Sequence, residues 1–379
     1  MDMPFTTYEP RTLPLDDEGF VQAFDVEDGE GMQVFFDDYG FVVVNGVLNE
    51  DERVATISDI WSIIEGFCGG KFNISRDDPS SWQKRWPGGG PGLIGPAKTA
   101  ASWHNRANPR LRAVFERIVG TDRLLSSVDN YGVLRPTRHV PMRPLPPQVP
   151  CRTDVVVMSA SASTEGAADE GGQGDDSAVD QPTWKTTSKW LHWDLNPFHW
   201  VNEAMPPYEF SEYAMISENN GSALAGHAKV QGLLNLVDAR TEDGGFLCVP
   251  GFHKHVREWS ALPEVQPVAA EWRESFDFLM VPGADPMQRH VRPVPMRAGA
   301  LLVWNSELPH CNYSNDSDRF RMVQYVKCFP VPGPESKGLD KRRLCLSAMV
   351  GASLGMGLGA AEQFDDAQRA MLGLQDYPP

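Results

Sequence analysis

The stretch AGALLVWNSELPHCNYSNDSDRFRMVQYV (298–326) holds two apolar runs separated by a polar, turn-rich segment. Short runs rich in Leu, Val, Phe and Tyr and bounded by Gly, Pro, Asn and Asp read as strands ended by turns. They predict strands near 299–305 and 320–329. Working outward, similar runs predict strands near 229–237 and 245–250, with DARTEDGG (238–245) as the turn between them, and one more near 189–195. Several short strands divided in this way predict an all-β barrel or sandwich for the second half of the chain.

The first half adds helices. In MQVFFDDYGFVVVNGVLNEDERVATISDIWSIIEGF (32–67) an amphipathic helical turn meets Gly40, and Phe41–Val44 form a short β-branched run. Asn49 is placed to cap a helix over 50–66, with Glu52 as its third residue. A second helix is expected over 108–119, with Pro109 at its start and Gly120 after its end. Segment 123–134 reads as strand then turn, and 76–102, rich in Trp, Gly and Pro, as loop. Six prolines in 135–150 exclude a helix or a central strand there. A closing helix is expected through 361–373.

The chain of 379 residues has a net charge of −17. Residues 1–52 contain fourteen Asp and Glu against the single base Arg11, and 164–180 add six acids and no base. The acidity therefore belongs to a leader, 1–31 and its continuation, and to a small, acidic, low-complexity insert at about 159–181 that is expected to be disordered. This distribution argues against nucleic acid as a partner, because phosphate binding needs clustered Lys and Arg. Six cysteines, none spaced as Cys-x-x-Cys, exclude a zinc-ribbon or thioredoxin reading. No secretory pattern opens the sequence and no membrane-length apolar run occurs, so a cytoplasmic location with reduced thiols is expected. Oligomeric state is not legible. No phosphate loop or esterase elbow is present.

The chemistry resides in histidines. LHWDLNPFHW (191–200) contains His192-x-Asp194, and alternate residues of a strand face one way, so the two side chains can grip one ion. His310 follows the apolar run at 299–305, which can deliver it to the same mouth. Two His and one carboxylate leave open positions that suit Fe(II). The bland alternative is a hydrogen-bonded, partly buried His with Asp194 serving a turn. Arg321, eleven residues after His310, can clamp a carboxylate with two prongs, which Lys cannot copy. Arg319 is its rival. His253 and His255 form a second His-x-His pair, His199 can reach the site's periphery, and His104 reads as structural.

These residues resemble the phytanoyl-CoA dioxygenase family of Fe(II)/2-oxoglutarate oxygenases. The likeness is carried by FDDYGFVVVNGVLNEDE (36–52), HWD (192–194), VQGLLNLVDARTEDGGFLCVPGFHK (230–254) and residues 298–326, with further similarity in 103–130 and LGLQDY (372–377). The resemblance implies a double-stranded β-helix, a cupin-like jelly roll, mainly β with flanking helices, forming one domain over 32–379. It implies His192, Asp194 and His310 as iron ligands and Arg321 at the far carboxylate of 2-oxoglutarate. Asn312 stands where the family often places a small hydroxyl residue, with Ser314 two positions further on as the other candidate, and Gln231 lies on the strand that usually faces the cosubstrate. It implies Fe(II), 2-oxoglutarate and O2 as cofactor and cosubstrates, and hydroxylation of a small organic substrate with release of succinate and CO2. Residues 199–228, with Trp200, Tyr208, Phe210 and Tyr213, form a lid-like insert that the resemblance places beside the substrate, the alternative being ordinary packing of these aromatics beneath a loop. Two other readings stay open: a non-catalytic jelly-roll binding protein, and a cupin-like metalloenzyme that does not use 2-oxoglutarate.

Overall fold

The computed structural model describes residues 8, 11–142, 178–194, 196–201, 230–267, 279–331 and 338–378. Local signals start and stop the helices as read from the sequence. Asn49 accepts the Glu52 N–H at 2.9 Å and Glu52 accepts the Asn49 N–H at 2.7 Å, so a complete capping box opens the helix Glu50–Glu65. Helix Pro109–Val119 has Pro at its first position and ends on Gly120 in the left-handed conformation. Helix Gly29–Tyr39 ends on Gly40 at φ 76°, and a Cβ on Gly40 would lie 2.4 Å from His253 Nδ1. That close approach lets the strand Phe41–Val44 leave the helix and enter the sheet at once.

Two antiparallel sheets form the body. The larger runs in the order Phe41–Val44, Leu301–Asn305, Val230–Asn235, Arg321–Val326, Tyr131–Leu134, Leu93–Ile94. The smaller runs Leu279–Met280, His192–Trp193, His310–Asn312, Phe246–Cys248, Arg292–Pro293. Neighbours in each sheet are distant in sequence, which is the crossing connectivity of a jelly roll. The strand Phe41–Val44 is buried at every position, as expected of a β-branched run covered on both faces. Buried Leu233, Leu301, Val303, Met322 and Val323 belong to one continuous core. The architecture is thus mainly antiparallel β with flanking helices, as predicted.

A second, smaller core anchors the end of the chain. Trp103, Leu346, Val350, Phe364 and Leu372 pack together there. Buried Arg342 ties helix Leu339–Leu354 to the body by donating to the carbonyls of Ser126 at 2.6 Å and Leu372 at 3.3 Å.

Four details differ from the sequence reading. The described part of the leader is packed: Leu13, Phe20, Val21 and Phe24 are buried, and Arg297 pairs with Asp16 at 2.5 Å and Glu18 at 3.1 Å. Its acidity is partly answered by a base far along the chain. Segment 76–102 is a fixed wall, because Trp61, Trp82, Trp86 and Phe320 cluster there. The last helix begins only at Asp366, where Asp365 provides the cap. The tail of the acidic insert is a strand, Ala178–Val179, paired with Val140–Pro141. Residues 159–177 of that insert and the lid-like residues 202–228 lie outside the described residues.

Candidate metal centre

His192 and His310 sit directly opposite each other on paired strands of the smaller sheet. The strand ends at Trp193, and Asp194 follows in a bend that turns its carboxylate back toward both rings. Asp194 Oδ1 lies 3.3 Å from His192 Nε2, and Asp194 Oδ2 lies 3.6 Å from His310 Nε2. One donor atom from each residue falls within 4.8 Å of the others, and these three residues are the one such group found among the described residues.

Hydrogen bonds preset both rings. His192 Nδ1 is 2.8 Å from the Trp190 carbonyl, and His310 Nδ1 is 2.9 Å from the Leu308 carbonyl. A carbonyl only accepts, so each Nδ1 carries the proton and each Nε2 presents a lone pair to the gap. The rings are buried, at 3% and 5% exposure, while the Asp194 side chain keeps 35% of its surface open. Burial pushes the Asp194 carboxyl up, but the neighbouring His192 and His310 imidazoles outweigh it and hold it well below the usual range. Burial and the neighbouring His192 lower His310, which favours its neutral, ligating form.

Aromatic rings fix the histidines further. Trp190 stacks on His192 at 4.5 Å, and Phe246 and Trp304 lie against His310 at 5.6 and 5.2 Å. Trp190 Nε1 donates to the Asn312 carbonyl at 2.6 Å. The three polar residues open on a cavity of about 360 Å³, walled by Trp190, Phe246 and Trp304 and reached by Gln231, Asn312 and Tyr325.

The other residues singled out in the sequence divide into two groups. Gln231 is buried in the cavity wall, and among the described residues neither atom of its amide has a hydrogen-bond partner. Asn312 donates to the Tyr325 hydroxyl at 2.9 Å, while its Oδ1 has no partner among the described residues. Arg321 is 1% exposed and does not itself line the cavity; it lies behind Tyr325, with Nη1 3.4 Å from the Tyr325 hydroxyl, and among the described residues Nη2 has no partner. Gly132 makes room for this row, since a Cβ there would meet the side chains of Val323, Tyr325 and Arg321 at 2.9–3.3 Å.

Arg319 and Ser314 are not brought to the cavity. Arg319 is neutralised by Glu242 at 2.5 Å and Asp243 at 2.7 Å, both from the turn after the central strand. His253 and His255 also lie elsewhere: His253 Nε2 is 3.1 Å from the Asp37 carbonyl, and His255 contacts Glu258. His104 packs against Phe364. The side chain of His199 lies outside the described residues.

Sequence reasoning missed Trp190, Trp304, Tyr325, Asp129, Asn130 and Lys327, which all line the cavity. One signal was available. Alternation from Arg321 through Val323 and Tyr325 continues to Lys327, one step beyond the strand.

Two neutral imidazoles and a carboxylate on one side of a partly open cavity form the donor set that suits a first-row divalent ion with several exchangeable positions. A buried guanidinium with an idle nitrogen is costly unless a ligand completes it. The model of the phytanoyl-CoA dioxygenase family matches residues 217–323. That stretch includes His310 and Arg321 but not His192 or Asp194. A Dictyostelium discoideum protein, provisionally named a phytanoyl-CoA dioxygenase, is 25% identical over 370 residues, covering 89% of this chain and 91% of that protein. The resemblance read from the sequence is thus borne out. The solved GlcNAc Inducible Gene 2 product of Candida albicans shares the fold at 12% identity, with a TM-score of 0.51 over 95% of this chain and 80% of that one. The epimerase SnoN, solved with Fe3+, alpha ketoglutarate and nogalamycin RO, is more distant, at 15% identity and a TM-score of 0.43 over 80% of this chain and 83% of that one.

Proposed function

We propose that this chain is an Fe(II)- and 2-oxoglutarate-dependent oxygenase of the phytanoyl-CoA dioxygenase type that hydroxylates a small organic substrate. The observation that carries this reading is the pairing of two unfinished sites in one fold: the preset triad His192, Asp194 and His310, and the buried Arg321 with an idle Nη2. His192 and His310 would hold iron through Nε2, and Asp194 through a carboxylate oxygen. When bound, the iron supplies the oxidising chemistry, in which O2 and 2-oxoglutarate give succinate, CO2 and a hydroxylated product.

The chain's own residues supply placement. Arg321 anchors the far carboxylate of 2-oxoglutarate, aided by the Tyr325 hydroxyl that it shares with Asn312. Gln231 offers a donor and an acceptor from the cavity wall. Trp190, Phe246 and Trp304 exclude water and keep the imidazoles from turning. Asp194 as the third protein ligand favours hydroxylation, because a halide would need its place on the metal. A metalloenzyme indifferent to 2-oxoglutarate would have no use for Arg321. The cavity is near the lower end of the size range of small-molecule sites, roughly 300–1,000 Å³, which supports a small substrate.

No described helix is long and apolar enough to cross a membrane. The five described cysteines are free thiols, which supports a reducing, cytoplasmic setting.

The test is succinate and CO2 release by the purified protein supplied with Fe(II), 2-oxoglutarate and O2, beside anaerobic Fe(II) binding. One iron per chain and oxygen-dependent succinate are expected. Absence of both iron binding and succinate would leave a non-catalytic binding protein.

A further inference from the structure

The cosubstrate reading uses Arg321, Tyr325, Asn312 and Gln231 and leaves a second polar group in the cavity unassigned. Lys327 and Asp129 line the same cavity as the triad. Each is held by its backbone. The Lys327 N–H donates to Ser127 Oγ at 2.8 Å, and its carbonyl accepts the Ser127 N–H at 2.8 Å. The Asp129 carbonyl accepts the Ala97 N–H at 2.8 Å, and Oδ1 accepts the Asn130 N–H at 2.8 Å. This leaves Asp129 Oδ2, which lies 3.7 Å from Lys327 Nζ. That separation is an ion pair but exceeds a direct hydrogen bond. The two side chains retain 28% and 16% exposure, so both can meet a ligand. Burial would depress the Lys327 ammonium, yet Asp129 and Asp194 hold it above the ordinary lysine range, so it is a cation.

We propose that Lys327 and Asp129 form the substrate anchor, and that the group they hold is zwitterionic, with a carboxylate on Lys327 and an ammonium on Asp129. The inference rests on the oxygenase reading for its cosubstrate assignments. The charge arrangement selects the class. A lone anion at Lys327 would also face the carboxylate of Asp129, and a lone cation at Asp129 would face Lys327. Like charges brought together in a partly desolvated site are strongly disfavoured. A zwitterion opens the loose pair, gives each partner a direct hydrogen bond and leaves the charge balance unchanged. Amino acids and their small relatives meet this description and suit a cavity of about 360 Å³.

The probe is the set of twenty L-amino acids, each beside its N-acetyl and methyl-ester derivative. Binding is measured by calorimetry on the Fe(II)- and 2-oxoglutarate-loaded protein without oxygen, and turnover by succinate release in air. At least one free amino acid is expected to bind and to raise succinate release tenfold. Its two derivatives, each lacking one charge, should bind at least tenfold more weakly. Lys327→Met and Asp129→Asn should raise the KM for that amino acid tenfold or more, while the KM for 2-oxoglutarate moves less than threefold. The derivative comparison uses the unaltered protein and holds even if a variant misfolds. The anchor is overturned if no amino acid binds, if the derivatives bind as well as their parents, or if both KM values rise together. A protein that binds an amino acid in the predicted manner yet never releases succinate would instead refute the oxygenase reading and leave the anchor standing.

Discussion

Arg321→Met separates a ligand clamp from a structural arginine, because the two roles predict opposite signs. Without cosubstrate, the change gives up one long hydrogen bond, 3.4 Å to the Tyr325 hydroxyl, worth about 1 kcal/mol at most. It also removes a buried charge whose Nη2 is unsatisfied, a condition that costs about 1–3 kcal/mol or more. Methionine fills much of the same volume with a flexible apolar chain. The unfolding midpoint of the cosubstrate-free protein should therefore hold or rise. With 2-oxoglutarate the sign reverses. Losing one side of a buried charge pair costs about 2–5 kcal/mol. At about 1.4 kcal/mol per tenfold, affinity should fall by roughly thirtyfold to a few thousandfold. The assay pairs thermal melting of the metal-loaded, cosubstrate-free protein with anaerobic calorimetry for 2-oxoglutarate and with its KM in succinate release. A midpoint several degrees lower, with 2-oxoglutarate affinity inside threefold of the parent, would show that Arg321 is a structural residue and refute the clamp.

Asp194→Ala removes the carboxylate between two preset imidazoles, and iron stoichiometry after desalting should fall from about one to near zero, taking succinate release with it; retention of full iron content would remove Asp194 from the ligand set. Gln231→Leu replaces two buried, partnerless amide atoms and should stabilise the ligand-free protein by about 1–2 kcal/mol in urea melts, while succinate release falls at least tenfold. An equal loss of stability would mean the amide has a partner in the folded protein. His253 has its pKa lowered from 6.5 to about 4 by burial. Between those values the unfolded chain binds a proton that the folded chain does not, so stability should decline as pH falls from about 6.5 toward 4. His253→Gln, which keeps a donor for the Asp37 carbonyl, should flatten that decline in denaturant midpoints measured against pH, and an unchanged slope would assign the decline to other groups.

The boundaries of the helices were legible because caps act within four residues. Asn49, Pro109, Gly120 and Gly40 carry their instructions in the adjacent sequence. The run Phe41–Val44 was legible for a similar reason, since β-branched residues without polar alternation need cover on both faces. The closing helix starts later than its residue pattern suggests because Asp365 provides a cap within the apparent helical run.

The chemistry divides along the same line. Residue type and spacing were enough to nominate His192, Asp194 and His310, and to nominate both Arg319 and Arg321. Choosing between the arginines needed the folded chain. They are two residues apart, but the turn after the central strand brings Glu242 and Asp243 onto Arg319, while Arg321 enters a space that Gly132 keeps open. The same holds for Lys327 and Asp129, which meet across nearly two hundred residues of sequence. Capping and strand patterning are written in neighbouring residues, because the backbone groups they satisfy are local. Which charges meet, and which are left for a ligand, depends on sheet register across distant segments, and that register exists only in the folded protein.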